Sequence, residues 1–124
     1  MASNSTSISV HIKITIDPKH TEDFLEAFGP VSQKVLAEPL NTYFELFRDD
    51  HHPGVLKLVE NWNATQDYMM KAQLEKEYYK EFHEVIKPML LKPFEVEMYS
   101  SIPGMKFVNV KEGFYPDRSR GAAA

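Results

Sequence analysis

At 124 residues, with 43% hydrophobic and 26% charged side chains, the chain is long enough for one core of two packed layers and too short for two such cores. A net charge of -4, with 14 Lys and Arg scattered along the chain, leaves no electrostatic footprint for nucleic acid or an anionic membrane surface. The absence of cysteine excludes disulfides, thiolate metal sites and thiol nucleophiles together.

The opening "MASNSTS" has no basic n-region and no apolar h-region, so no secretory signal is visible. No run of about 18 apolar residues is present to span a bilayer. Residues 1–6 are expected to form a flexible N-terminus, no membrane partner is expected, and a cytoplasmic location is the default. The sequons at Asn4 and Asn63 then count as chance matches, because an acceptor must enter the secretory route.

From Ile8 to Ile16, "ISVHIKITI" alternates isoleucine or valine with polar residues, the period of a half-buried strand. Asp17-Pro18 has the form of an N-cap followed by a first-turn proline. Phe24, Phe28, Val31 and Val35 then fall on one stripe of an amphipathic helix, which Gly29-Pro30 is expected to kink or restart. "NTYFELFRDDHHPGVLKLVENW" reads as two strands, Thr42 to Arg48 and Val55 to Trp62, joined by a polar loop containing Pro53-Gly54. Asn63 is placed to cap a second helix, with Gln66 at the capping-box position and Tyr68, Met69 and Ala72 as its apolar residues. A break near Leu74 to Glu77 precedes a further stripe at Tyr78, Phe82, Val85 and Met89. "PFEVEMYS" alternates again and supplies a fourth strand. "MKFVNV", Met105 to Val110, has the pattern of an extra edge strand or an arm on a partner, and the final "DRSRGAAA" is expected to be loose.

The order strand, helix, strand, strand, helix, strand is that of a ferredoxin-like α+β fold, βαββαβ with an antiparallel sheet, over residues 7–99; residues 100–124 form a C-terminal extension. Two helices cover only one face of such a sheet. Tyr43 and Phe47 oppose Phe44 and Leu46 on the second strand, and Val55 and Val59 oppose Leu56, Leu58 and Trp62 on the third. Both faces are therefore apolar, and leaving one wet exposes a larger patch than monomers usually tolerate. A homodimer with two sheets stacked face to face is predicted.

"LVENWN" puts Glu60 and Trp62 on one face of the third strand. Two readings stand: Trp62 is a core anchor with Glu60 accepting a neighbouring hydrogen bond, or the pair borders a pocket where the indole meets a flat ligand with its N–H free to donate. His11, between Ser9 and Lys13, is either solvated or a general base, since its ordinary pKa lies near neutrality. His51 and His52 sit beside Asp49 and Asp50 in a turn, without the spacing of a metal site, and no metal is assigned. His20 and His83 read as surface residues. Tyr68, Tyr78, Tyr79 and Phe82, with Met69 and Met70, supply core and, in part, a wall for a planar apolar substrate. No phosphate loop, GxSxG elbow or dinucleotide fingerprint is present.

In this element order, "TYFELFRD", "VLKLVENWNA", "EYYKEF" and the "AEP" at residues 37–39 resemble the antibiotic biosynthesis monooxygenase domain, of the dimeric α/β barrel group. The resemblance implies a dimer of ferredoxin-like chains, each with a pocket between sheet and helices. Its relatives include oxygenases that oxidise phenolic polyketides with O₂ and neither metal nor flavin, haem-degrading enzymes and isomerases. Carried over by position, Trp62 is the pocket tryptophan, Tyr43 the tyrosine after the first helix, and His11 a first-strand residue facing the pocket. Lys71 stands where haem-degrading relatives carry a histidine, so haem is not expected; a lysine can hold a phenolate instead.

His11 and Trp62 are thus the candidate catalytic residues, and Tyr43, Glu60, Tyr68, Lys71, Tyr79 and Phe82 the candidate substrate contacts, with no cofactor. The function implied is a cofactor-independent monooxygenase of secondary metabolism acting on a small phenolic or polyketide-type metabolite. The alternatives are an isomerase or lyase acting on an enolisable molecule and a non-catalytic ligand-binding module.

Overall fold

In the computed structural model, residues 7–109 and 111–115 are described. The expected flexible N-terminus with the Asn4 sequon, Val110 and the tail from Asp117 onward lie outside them.

Strand β1 (Ile8–Thr15) buries Ile8, Val10, Ile12 and Ile14 and leaves the intervening side chains on the other face. This is the alternation its sequence carries, with β-branched residues filling the buried positions. Strands β2 (Asn41–Arg48), β3 (Val55–Trp62) and β4 (Glu95–Ser100) complete one antiparallel sheet in the order β2-β3-β1-β4. The two most apolar strands are central, and the ferredoxin-like fold follows from their two helical crossovers.

Helix α1 (Thr21–Leu36) lies on the sheet through Phe24, Val31 and Val35. A single 3-10 turn, Pro18–His20, separates it from the Asp17 cap, whose carboxylate accepts from the Lys19 N–H at 3.1 Å. The expected restart at Gly29-Pro30 does not occur: α1 runs through Pro30. Proline deletes only one helical bond, the neighbouring surface is exposed so water can solvate the freed carbonyl, and Ser32 Oγ donates to the Gly29 carbonyl at 2.6 Å. Helix α2 (Gln66–Lys71) is capped by Thr65, whose hydroxyl accepts from the Tyr68 N–H at 3.0 Å. Asn63, the cap expected from sequence, instead donates its backbone N–H to the Leu40 carbonyl.

The predicted break is a 3-10 turn, Gln73–Glu75, after which α3 (Glu77–Ile86) begins. On α3 the buried residue is Ile86, while Val85 is 57% exposed; Tyr78, Phe82 and Met89 of the expected stripe pack half-buried against the core. Residues 105–109 form no strand. Pro103 and Gly104, the latter at φ +82°, turn the chain off the sheet edge, and Phe107 is left 83% exposed.

Gly54 fixes the β2–β3 loop. It has φ +86°, and a Cβ there would lie 2.3 Å from the Ile16 carbonyl oxygen, so only glycine lets the loop reach β1, where the Ile16 N–H bonds the Gly54 carbonyl at 2.8 Å. Asp49 closes the same loop by accepting from the His51 N–H and pairing with His52 at 3.0 Å. Among the described residues no helix is long and apolar enough to cross a membrane.

Candidate active site

Every second residue of β3 faces the helices, and at Glu60 that rule drives a carboxylate into the core, where it is fully buried. Beside it lies a cavity of about 510 Å³. Its floor comes from Ile12 and Ile14 on β1, Leu58 and Glu60 on β3 and Phe44 on β2; α1 gives Phe28 and α3 gives Tyr79 and Phe82. The Phe28 and Phe44 rings are parallel at 5.4 Å, with Phe82 edge-on to Phe28 at 6.0 Å. Lys80, His83 and Glu84, all exposed, rim the opening, where the His83 ring stands edge-on to Phe94 at 5.7 Å. An apolar, aromatic-walled space with one deep polar group is the usual form of a small-molecule site.

Glu60 Oε1 accepts from the Trp62 indole N–H at 2.9 Å, whereas Oε2 is buried with no hydrogen-bond partner among the described residues. Burial pushes the Glu60 carboxyl up to about 7, the indole bond pulling it back only in part. A carboxyl with that midpoint and an unengaged oxygen is suited to taking a proton at neutral pH. Tyr79, half-buried on the cavity wall, is held well above the ordinary phenol range, first by burial and then by the Glu60 charge.

Of the residues singled out from sequence, the fold brings Glu60, Tyr79 and Phe82 together on the cavity. Trp62 is buried behind Glu60 and does not line it; its N–H is not free for a ligand, because it is engaged with the carboxylate. Tyr68 packs half-buried against the core. Lys71 is exposed at the end of α2, paired with Asp67 at 3.0 Å. Neither lines the cavity.

His11 and Tyr43 do not face it either, and the reason is register. His11 pairs with Val59, and Tyr43 with Asn61, both on the sheet face opposite Glu60. There the His11 ring lies 5.1 Å from Tyr99 and bonds Ser9 Oγ at 2.9 Å. Tyr43 donates to Glu45 and meets Tyr115 edge-on at 6.3 Å. Phe28, Phe44 and Phe94 were not singled out for the site, although Phe28 lies on the α1 stripe and Phe44 on the Glu60 face of β2.

The sequence model of the antibiotic biosynthesis monooxygenase family matches residues 7–85. A protein of Pestalotiopsis microspora named "Putative monooxygenase GME11364" is 50% identical over 119 residues, spanning 95% of this chain and 99% of that one. The chain belongs to the antibiotic biosynthesis monooxygenase family. The family fold agrees with solved structures. A "putative antibiotic biosynthesis monooxygenase" from Caulobacter crescentus superposes with a TM-score of 0.71 at 22% identity, over 79% of this chain and 92% of its own. One from Nitrosomonas europaea, described in the same words, gives 0.71 at 18% identity, over 82% and 95%. At those identities the likeness is one of fold.

Proposed function

We propose that this family member is a cofactor-independent monooxygenase that oxidises a small phenolic or polyketide-type aromatic with O₂, and that Glu60 is its base. The observation that carries this reading is the buried Glu60 carboxyl, with one oxygen held by Trp62 and the other unengaged beside an aromatic-walled cavity. In this mechanism Glu60 Oε2 takes a proton from an acidic CH₂ of the substrate. The carbanion passes one electron to O₂, and the radical pair joins to form a C–O bond. The resulting peroxide anion is protonated and loses water to leave a ketone, so that R₂CH₂ and O₂ become R₂C=O and H₂O. The substrate supplies all four electrons. The apolar walls exclude bulk water from the carbanion, and Trp62 acts as a positioning residue through its bond to Glu60.

Oxygen consumption by metal-stripped protein against a panel of anthrones, hydroquinones and other phenols tests this, with Glu60→Gln alongside. Uptake that survives chelation and is lost in the variant supports the reading. Product formed without oxygen uptake transfers the same base to an isomerase, and binding without turnover makes the cavity a ligand site only. The open sheet face, with Val55 and Val59 half-buried and Phe47 and Tyr99 41% and 50% exposed, supports a homodimer stacked through that face. Sedimentation equilibrium showing a monomer at micromolar concentration overturns the dimer and leaves the base unaffected.

A further inference from the structure

The sheet face turned away from the helices carries a charge map that a single chain leaves unmatched. Strand register lays its side chains out in three rows, each read in the order β2, β3, β1, β4. The first row is Tyr43, Asn61, Ser9 and Tyr99. The second is Glu45, Val59, His11 and Glu97, and the third is Phe47, Lys57, Lys13 and Glu95. Strands lie about 4.8 Å apart, and side chains on one face about 6.8 Å apart along a strand, so the grid is close to a square of about 14 Å on a side. Lys57 and Lys13 stand directly opposite each other, a destabilising arrangement, and neither is ion-paired among the described residues. Glu95, beside Lys13, is turned to Lys92 at 3.2 Å. Glu45 and Glu97, at the two edges of the second row, are likewise without an ion pair among the described residues. The face thus has bare cations near its middle and bare anions at its edges, and a second copy of the same face can match them.

We propose that the partner on this face is a second copy of the chain, laid with its strands crossing these at about a right angle, and that the two-fold axis runs along the diagonal from Phe47 to Tyr99. This rests on the sheet-stacked dimer and is independent of Glu60. An axis through the centre of the square grid has four symmetric settings. Along the strands, it brings Lys57 onto the partner's Lys13 and Glu45 onto the partner's Glu97. Across the strands, it sets Glu45 and Glu97 each on its own copy. Along the diagonal from Tyr43 to Glu95, it sets Glu95 on its own copy. Along the diagonal from Phe47 to Tyr99 no like charges meet. Lys13 and Lys57 there flank the partner's Glu45 on either side, Glu97 falls between the partner's Ser9 and Asn61, and Glu95 reaches the partner's Tyr43. Phe47 and Tyr99, both exposed in the single chain, meet their own copies on the axis. Symmetry repeats each contact, so two lysine pairs clamp two glutamates.

Charge exchange reads this pairing. Glu45→Lys in one protein, and Lys13→Glu with Lys57→Glu in another, each put like charges together twice. Either weakens the dimer by about a hundredfold or more in sedimentation equilibrium, the scale of like-charge contact in an interface. Mixing the two proteins restores a dimer, because each supplies the sign the other lacks, and a chain carrying all three substitutions dimerises with itself. Such recovery also shows that the variants are folded. Because the chain has no cysteine, single introduced thiols report the axis. A short bismaleimide, able to span the roughly 10 Å between packed sheets, joins Tyr99→Cys to its copy and leaves Tyr43→Cys unjoined. Dimers unmoved by the charge variants, no recovery on mixing, or cross-linking of Tyr43→Cys in place of Tyr99→Cys overturns this arrangement while the stacked dimer stands. A wild-type monomer removes the dimer and the arrangement together.

Discussion

Replacing Glu60 with glutamine keeps the side chain's shape and an oxygen for the Trp62 N–H while removing the charge, which isolates what ionisation of this carboxyl does to the fold. Burial holds its midpoint at about 7 instead of the ordinary 4.5. Between those values the folded chain retains a proton that the unfolded chain has released. The unfolded state binds fewer protons, so stability falls as pH rises through this window and levels off above the folded midpoint. At 1.36 kcal/mol for each tenfold ratio of acidity constants, the loss amounts to about 3 kcal/mol, or roughly 10 °C of Tm for a domain of this size. Other titrating groups act alike in both proteins and cancel in the difference. Thermal unfolding followed by circular dichroism at pH 5, 6, 7 and 8 gives the test. The Tm of Glu60→Gln, relative to wild type, climbs by about 10 °C from the lowest to the highest pH; a difference that stays constant shows that Glu60 is ionised in both states and refutes the reasoning.

The same midpoint sets the acid limb of turnover: kcat/KM for the oxidised phenol or anthrone rises with pH through about 7, and a profile flat from pH 5 to 8 excludes Glu60 as the base. Trp62→Phe removes the only hydrogen bond that the Glu60 side chain makes among the described residues, costing about 1–3 kcal/mol in denaturant unfolding. It also moves the acid limb to higher pH, because the lost bond favoured the ionised form. Gly54→Ala places a Cβ against the Ile16 carbonyl at positive φ and lowers stability by more than about 1 kcal/mol, read from the urea midpoint. His11→Ala leaves anthrone affinity unchanged while Phe82→Ala weakens it; the reverse result places the ligand on the other sheet face.

Much of the architecture is written in side-chain period. The alternation of β1 and the Phe24, Val31 and Val35 spacing each name their buried face without reference to any other element, and both faces are found as spaced. The departures occur where a tertiary contact decides. Thr65 caps α2 because the Asn63 backbone is held by Leu40 at the open end of the β2–β3 hairpin, a partner 23 positions earlier that no local pattern contains. Ile86 takes the buried place expected of Val85, one turn beyond Phe82, whose ring packs edge-on against Phe24 with centres 5.8 Å apart. Pro30 is tolerated because the packing on either side of it outweighs one missing bond.

For the site, the decisive fact is parity. Glu60 and Trp62 are two apart on one strand, so sequence alone puts them on one face. Whether His11 or Tyr43 joins them depends on register between strands, and a shift of one residue exchanges the faces. The observed register sets Val10 against Glu60 and His11 against Val59, which sends His11 to the open face however apt its chemistry. An acid on the buried face of a central strand is the stronger signal. Surrounded there by leucine, isoleucine and phenylalanine, its charge has a desolvation cost that no cation relieves, and a single indole N–H offsets only part of it. Keeping such a group in the core destabilises the fold at neutral pH, and glutamine would fill the same space without that cost. The proton-taking role proposed for it beside the cavity would account for glutamate at position 60.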